Sequence, residues 1–219
     1  IYNRTIDYQL DSYNPQFGLA DPFGLSTPNR RGISSKFNFK DSLSRIKLFA
    51  EFTYLNDLTG EGVSQKRNYN KYAVGGLIKV GEFLNFKKEI NLYGGFSLNT
   101  VNRIHPSEMN VNDVDFNNSL LDLALDFEIL SDLYFLAGIK KLNANGIDYL
   151  PIRDDNFTIS SYTLHSANLS EQISALGLKY NFSTNSSLLF NYQLLKREDL
   201  ENSNSFSTNQ FFVLIQIAF

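Results

Sequence analysis

The chain has no cysteine and no tryptophan, and it holds only one methionine, two histidines (His105 and His165) and five prolines in 219 residues. Without cysteine there is no disulfide scaffold and no thiolate metal site. Imidazole is so scarce that a histidine-rich metal centre is excluded, and no Gly-rich phosphate loop or nucleic-acid motif is present. Positive charge is not in excess: 20 Lys and Arg face 23 Asp and Glu, for a net charge of −3. That balance argues against nucleic-acid binding, which draws on a basic face. No stretch of 18 apolar residues occurs, so a transmembrane helix is not expected. A membrane β-barrel escapes that test, because its strands alternate apolar and polar residues and average out. No basic segment followed by an apolar one opens the chain. Alternation begins at once, which favours a start inside a larger protein over a removed leader.

What the chain has in quantity is Phe (19) and Tyr (12), arranged with a period of two. Leu121, Leu123, Leu125, Phe127 and Ile129 alternate with Asp122, Ala124, Asp126 and Glu128. Similar segments recur at 2–9, 33–40, 46–54, 72–81, 90–99, 133–140, 175–182 and 188–195. A period of two over such lengths predicts strands apolar on one face. Each is about 8–10 residues, close to a tilted bilayer-spanning strand. Connections alternate between short (Asp41–Ser44, Glu82–Lys88, Ser131–Asp132, Ser183–Ser186) and long (Leu10–Arg30, Asn56–Asn68, Asn102–Asn118, Asn143–Ser170, Lys196–Thr208). Short turns at one end and long loops at the other fit a membrane barrel. A soluble sandwich or lipocalin-like barrel would point the apolar face inward. It would also expose more Lys and Glu and fewer glycines than the face carrying Asp122, Ala124 and Asp126. Aromatics gather near strand ends, at Phe37, Phe39, Tyr54, Tyr180 and Phe182, as membrane-interface girdles do.

The last strand sets Phe211, Val213, Ile215, Ile217 and Phe219 against Gln210, Phe212, Leu214, Gln216 and Ala218, and stops on the aromatic. This resembles the closing strand of bacterial outer-membrane β-barrel proteins. The resemblance implies that Phe211, Val213, Ile215, Ile217 and Phe219 form an assembly signal read by the barrel-assembly machinery. It further implies residence in the outer membrane of a Gram-negative bacterium, with the lipid bilayer as solvent. The expected fold is one domain over residues 1–219, an all-β antiparallel up-and-down transmembrane β-barrel of about ten strands. The alternative boundary makes it the C-terminal part of a longer protein.

The expected inner face carries Lys36, Lys40, Lys47, Glu51, Lys79, Asp122, Asp126, Glu128, Lys140 and Lys179. About ten strands enclose a bore that side chains largely fill, and buried charges need partners. The expectation is an ion-pair network closing the lumen, with Lys140 meeting Asp122 or Asp126. That makes the protein a non-enzymatic structural or accessory membrane component whose long outer loops bind membrane or surface proteins. The runner-up is a narrow porin-like channel for small solutes. A third reading is an outer-surface hydrolase of omptin type. Rim residues His105, Glu108, Asp113, Asp115, Asp154, Asp155 and His165 resemble the acids and imidazole with which omptins activate water, but only in residue type. No cofactor, catalytic residue or metal ligand is assigned.

Overall fold

In the computed structural model the described residues are 29–58, 66–104, 114–153, 155, 159–183, 186–201 and 203–217. Side chains at 104, 148–153 and 159–165 are not described. Among these residues the chain is a single sheet of nine strands in sequence order. They are β1 (Arg30–Lys40), β2 (Ile46–Asp57), β3 (Lys66–Lys79), β4 (Ile90–Ile104), β5 (Val114–Leu130), β6 (Leu133–Arg153), β7 (Ile159–Ser183), β8 (Ser186–Asp199) and β9 (Asn204–Ile217). Every neighbouring pair is antiparallel. Among the described residues the helical content is one turn, α1 (Val80–Phe83), between β3 and β4. No pairing joins β1 to β9 among the described residues, so the sheet is open there. The tenth expected strand, residues 2–9, lies outside the described residues, as does the Pro-rich segment that follows it.

The short connections stand where the sequence puts them, all at one end of the sheet, termed the turn end. Asp41 closes the first of them. Its carboxylate accepts the Ile46 N–H at 2.9 Å and Arg45 Nε at 3.1 Å. Ser44 N–H donates to the Asp41 carbonyl at 2.9 Å, with Ser44 at φ 59°. The Ser131–Asp132 turn likewise needs a positive φ, 66° at Asp132, a conformation that Asp tolerates.

The long connections differ from expectation. Much of Asn143–Ser170 is strand: β6 continues to Arg153, and β7 resumes at Ile159. Asn102–Asn118 and Lys196–Thr208 shrink in the same way. Strands run from 11 residues in β1 to 25 in β7, not 8–10. The reason is physical. Alternation reports a contrast between two faces, whereas pairing needs only backbone groups. Between Asn143 and Arg153 apolar and polar residues stop alternating, as in Tyr149-Leu150-Pro151-Ile152, while the ladder runs on.

Residues paired across strands share a face. One face holds Thr53, Tyr69, Ala73, Leu77, Asn99, Val101, Asn118, Leu142, Glu171 and Ile173, all buried. Leu142 and Glu171 are at 0% exposure. A flat single layer would leave both faces open, and no second layer exists among the described residues. The sheet therefore curls toward this inner face, as twisted sheets do. A row of inner residues, Leu55, Tyr69, Val101 and Phe116, packs together from β2 to β5, joined by Ala144, Ala167 and Leu169. Gly75 pairs with Gly95 and Gly76 with Gly94 in the middle of this curl. A Cβ on Gly75 would sit 2.7 Å from the Phe49 ring and 2.6 Å from the Gly94 carbonyl. The glycine thus makes the bed for that ring, as interior strand glycines at close approaches do.

Two measurements follow. Gly75→Val is expected to lower stability by about 1–3 kcal/mol through overpacking, read from urea unfolding of the refolded protein. Acid should loosen the β1–β2 turn. The Asp41 carboxyl is held below the ordinary 3.8 chiefly by the Ile46 N–H, with desolvation opposing and Arg45 adding to the lowering. Its contribution is complete above that pH and fades as pH falls through the folded value. Protection of the Ile46 amide against exchange, relative to an unstructured amide at the same pH, should therefore fall below about pH 4, and Asp41→Ala should show the lowered protection at neutral pH.

Candidate functional site: the two faces of the sheet

The outer face carries a continuous apolar band. It comprises Ile33, Phe37 and Phe39 on β1, and Leu48, Phe52 and Tyr54 on β2. It continues through Tyr72, Val74 and Ile78, then Leu92, Phe96 and Leu98, to Leu176, Leu178, Tyr180 and Phe182 on β7 and Phe211, Val213, Ile215 and Ile217 on β9, all exposed. Ile33 and Phe37 are 68% and 65% exposed. An exposed apolar surface this large is far beyond a few isolated side chains, and such surfaces mark contact with another apolar phase or partner. Along each strand toward the loop end the same face turns polar. There Asn70 bonds Thr100 at 3.2 Å and Ser170 bonds Asn143 at 3.0 Å. Lys141, Gln172, Lys196 and Asn209 follow the same parity.

The band does not follow the hydrogen-bond rows. The row through Phe211, the band's loop-end residue on β9, runs through Tyr192, Leu176, Ala137, Leu125, Leu92 and Ile78 to Ile46. On β2 the band instead continues to Tyr54, eight residues further along. Eight residues over seven strand steps is about one residue per strand. With roughly 3.3 Å per residue and 4.8 Å between strands, the strands tilt by about 35–40° to the normal of the band. That lies in the range for barrel strands. The aromatic pairs Phe52–Tyr72, 5.3 Å between centroids, and Tyr180–Phe182, 6.5 Å, stand toward opposite borders of the band.

All nine assigned charges, Lys36, Lys47, Glu51, Lys79, Asp122, Asp126, Glu128, Lys140 and Lys179, share the inner face by register. Lys36 stands opposite Glu51, and Asp122 opposite Lys140. Glu51 also meets Lys71 at 3.3 Å. Asp126 and Lys179 line one cleft at the turn end with Glu89, Asn91 and Tyr134. Two assignments are less central than expected. Lys79 turns to Glu82 on α1, and Glu128 accepts the Glu89 N–H at 3.0 Å, both at the turn-end rim. Phe211, Val213, Ile215 and Ile217 lie on the outer face of β9, whereas Phe219 falls outside the described residues.

Several inner residues escaped the sequence reading. Arg30 approaches Asp57 at 3.6 Å and covers the Tyr69 ring at 4.2 Å, while its guanidinium donates to Tyr69 Oη at 3.1 Å. Asn99 donates to Asn118 across β4 and β5 at 2.8 Å. Arg197 stands opposite the fully buried Glu171 at 3.6 Å and reaches Asp199 at 3.7 Å. Asp57, Arg197 and Asp199 lie in stretches assigned to loops. The available signal was parity continued past the last apolar residue. Among the hydrolase candidates, His105, Glu108, Asp113 and Asp154 fall outside the described residues. Asp115 lies on β5, and His165 is on β7, paired in register with Asp148, rather than in a loop. Among the described residues no group of His, Asp and Glu gathers as a metal would require.

No family model matches the chain, and neither a curated protein nor a solved structure matches it significantly.

Breaking one side of the buried couple tests the inner network. Arg197→Met should cost about 3 kcal/mol by removing a cation beside the buried Glu171 carboxylate, and adding Glu171→Leu should restore much of it. Unfolding midpoints of the two single variants and the double variant provide the cycle.

Proposed function

We propose that this chain is the β-barrel domain of a bacterial outer-membrane protein, with a bore closed by its own side chains. On this reading it is a structural or accessory component that meets membrane or surface partners through its loop end. One observation carries it. The apolar band crosses strands that tilt by about 35–40° and holds its level by shifting about one residue per strand. A planar bilayer selects that arrangement, whereas an inward-packed soluble barrel would put its apolar residues on the other face. The outer face turning polar toward the loop end supports it further, since strands emerging from lipid re-enter water.

The non-conducting role rests on the inner face. Tyr69, Val101, Phe116 and Leu142 are buried there. Glu51 with Lys71 and Glu171 with Arg197 couple acid to base across it. An ion pair excluded from water needs such partners, and a row so filled leaves little path for solutes. The bilayer and the assembly machinery are the partners this reading requires, with β9 offering the signal.

Leu125→Arg places a charge in the band. It should cost about 2–4 kcal/mol near the midplane and lower the folded yield in outer-membrane fractions. Leu123→Arg should behave alike. Recovery of the unaltered chain from the soluble fraction only would overturn the membrane reading. In planar bilayers the purified protein should give little conductance, and robust single-channel currents would favour the narrow channel. The omptin-type hydrolase stands third, and an activity lost on His165→Ala would bring it forward.

A further inference from the structure

Two adjacent rows of the ladder lie on the inner face near the turn end. One runs Lys40–Lys47–Leu77–Tyr93, and the next runs Asn38–Phe49–Gly75–Gly95. Between them is a cleft of about 340 Å³. Asn38, Lys40, Lys47, Phe49, Leu77 and Tyr93 line it from the inner face. Leu77 is buried, whereas Lys40 is exposed and Lys47 partly so. The Phe49 ring keeps its place beside the cleft because Gly75 beneath it has no side chain. On β3 the cleft lies toward the turn end from buried Tyr69, apart from the packed row that Tyr69 forms with Val101 and Phe116.

Elsewhere on this face the ladder sets acid opposite base, as at Lys36–Glu51 and Asp122–Lys140. Here it sets lysine opposite lysine. Like charges directly opposite one another are unfavourable in a sheet. Asp41, in the turn that joins the two strands, is engaged by the Ile46 N–H and by Arg45. A pair of cations beside an apolar hollow is the reverse of a filler: ligand sites combine mostly apolar walls with a few placed polar groups, in volumes of about 300–1,000 Å³.

We propose that this cleft is a binding site for a small organic anion with a flat apolar body. The anionic group sits between Lys40 and Lys47, where it offsets their repulsion and accepts charge-assisted hydrogen bonds from both. The ring lies against Phe49 and Tyr93, since aromatic side chains favour a second ring in offset or edge-on contact. Leu77 closes the apolar end. The site needs the inner face of β1 to β4 and its register, and it does not depend on the bilayer.

The probe is 2-naphthoate, with neutral 2-naphthamide as the comparator, each titrated into the refolded protein and followed by its own fluorescence. Binding of 2-naphthoate should saturate and weaken as NaCl is raised. It should exceed that of the amide by about fivefold or more, and Lys40→Gln and Lys47→Gln should each weaken it by about fivefold. Unfolding midpoints check that the variants fold. A second measurement uses the unaltered chain. Lysine acetylation read by mass spectrometry should slow at Lys40 and Lys47 when 2-naphthoate is present, and stay unchanged at Lys87, which is exposed outside the cleft. Equal affinity for the amide, affinity unchanged in both lysine variants, or acetylation slowed nowhere or at Lys87 alike would each overturn the proposal. The membrane reading is scored separately by fractionation. Specific binding by a wholly soluble protein would keep the site and reject the membrane.

Discussion

The rest of this structure depends on the unbroken register of the backbone ladder. A strand has a period of two, so a slip of one residue would exchange the faces and carry Asp122, Lys140 and Glu171 into the exposed band. Eight consecutive antiparallel junctions hold that register, with irregularities close to turns at Glu128–Leu130, Ile152–Arg153 and Asn181–Ser183. Turn chemistry sets the starting point of each hairpin. Asp41 ties Ile46 and Arg45, and Asp132 accepts the positive φ that a two-residue turn demands.

Curl and charge depend on each other. Curling toward the inner face removes water from Glu171, Asn99, Asn118 and Asp57, which would be costly for isolated groups. The register sets Arg197 and Arg30 opposite Glu171 and Asp57 on neighbouring strands, and it pairs the two asparagines. Gly75 on the inner face leaves room for the Phe49 ring, where a longer side chain would meet the ring and the Gly94 carbonyl. A polar inner face is sustained because the sheet supplies its partners. The outer face instead leaves its apolar residues exposed.

The offset between the band and the hydrogen-bond rows ties the two faces to a function. In the barrel reading the bilayer fixes the level of the band, and the tilt of the strands then follows from moving about one residue per step. The long β6–β7 hairpin rises well past that level, beyond the last partners of β5 and β8. On that proposed reading, a bore filled by side chains and a hairpin clear of the bilayer suit contact rather than passage.

Strand identity, face assignment and turn positions were legible in the chain itself. Leu121 to Ile129 reads as a two-faced strand because neighbouring side chains on a strand point oppositely, whatever surrounds them. The nine inner charges could be grouped for the same reason. Where strands end was not legible, because pairing between Asn143 and Arg153 is a matter of backbone groups, and the residues there, Tyr149-Leu150-Pro151-Ile152 among them, do not alternate. Nor were the particular partners. Arg197 with Glu171, Arg30 with Tyr69, and Asp148 opposite His165 join residues of different strands, and only the register decides which meet. The tilt is of the same kind: each strand shows its own band, but the offset between bands exists only once the strands are paired.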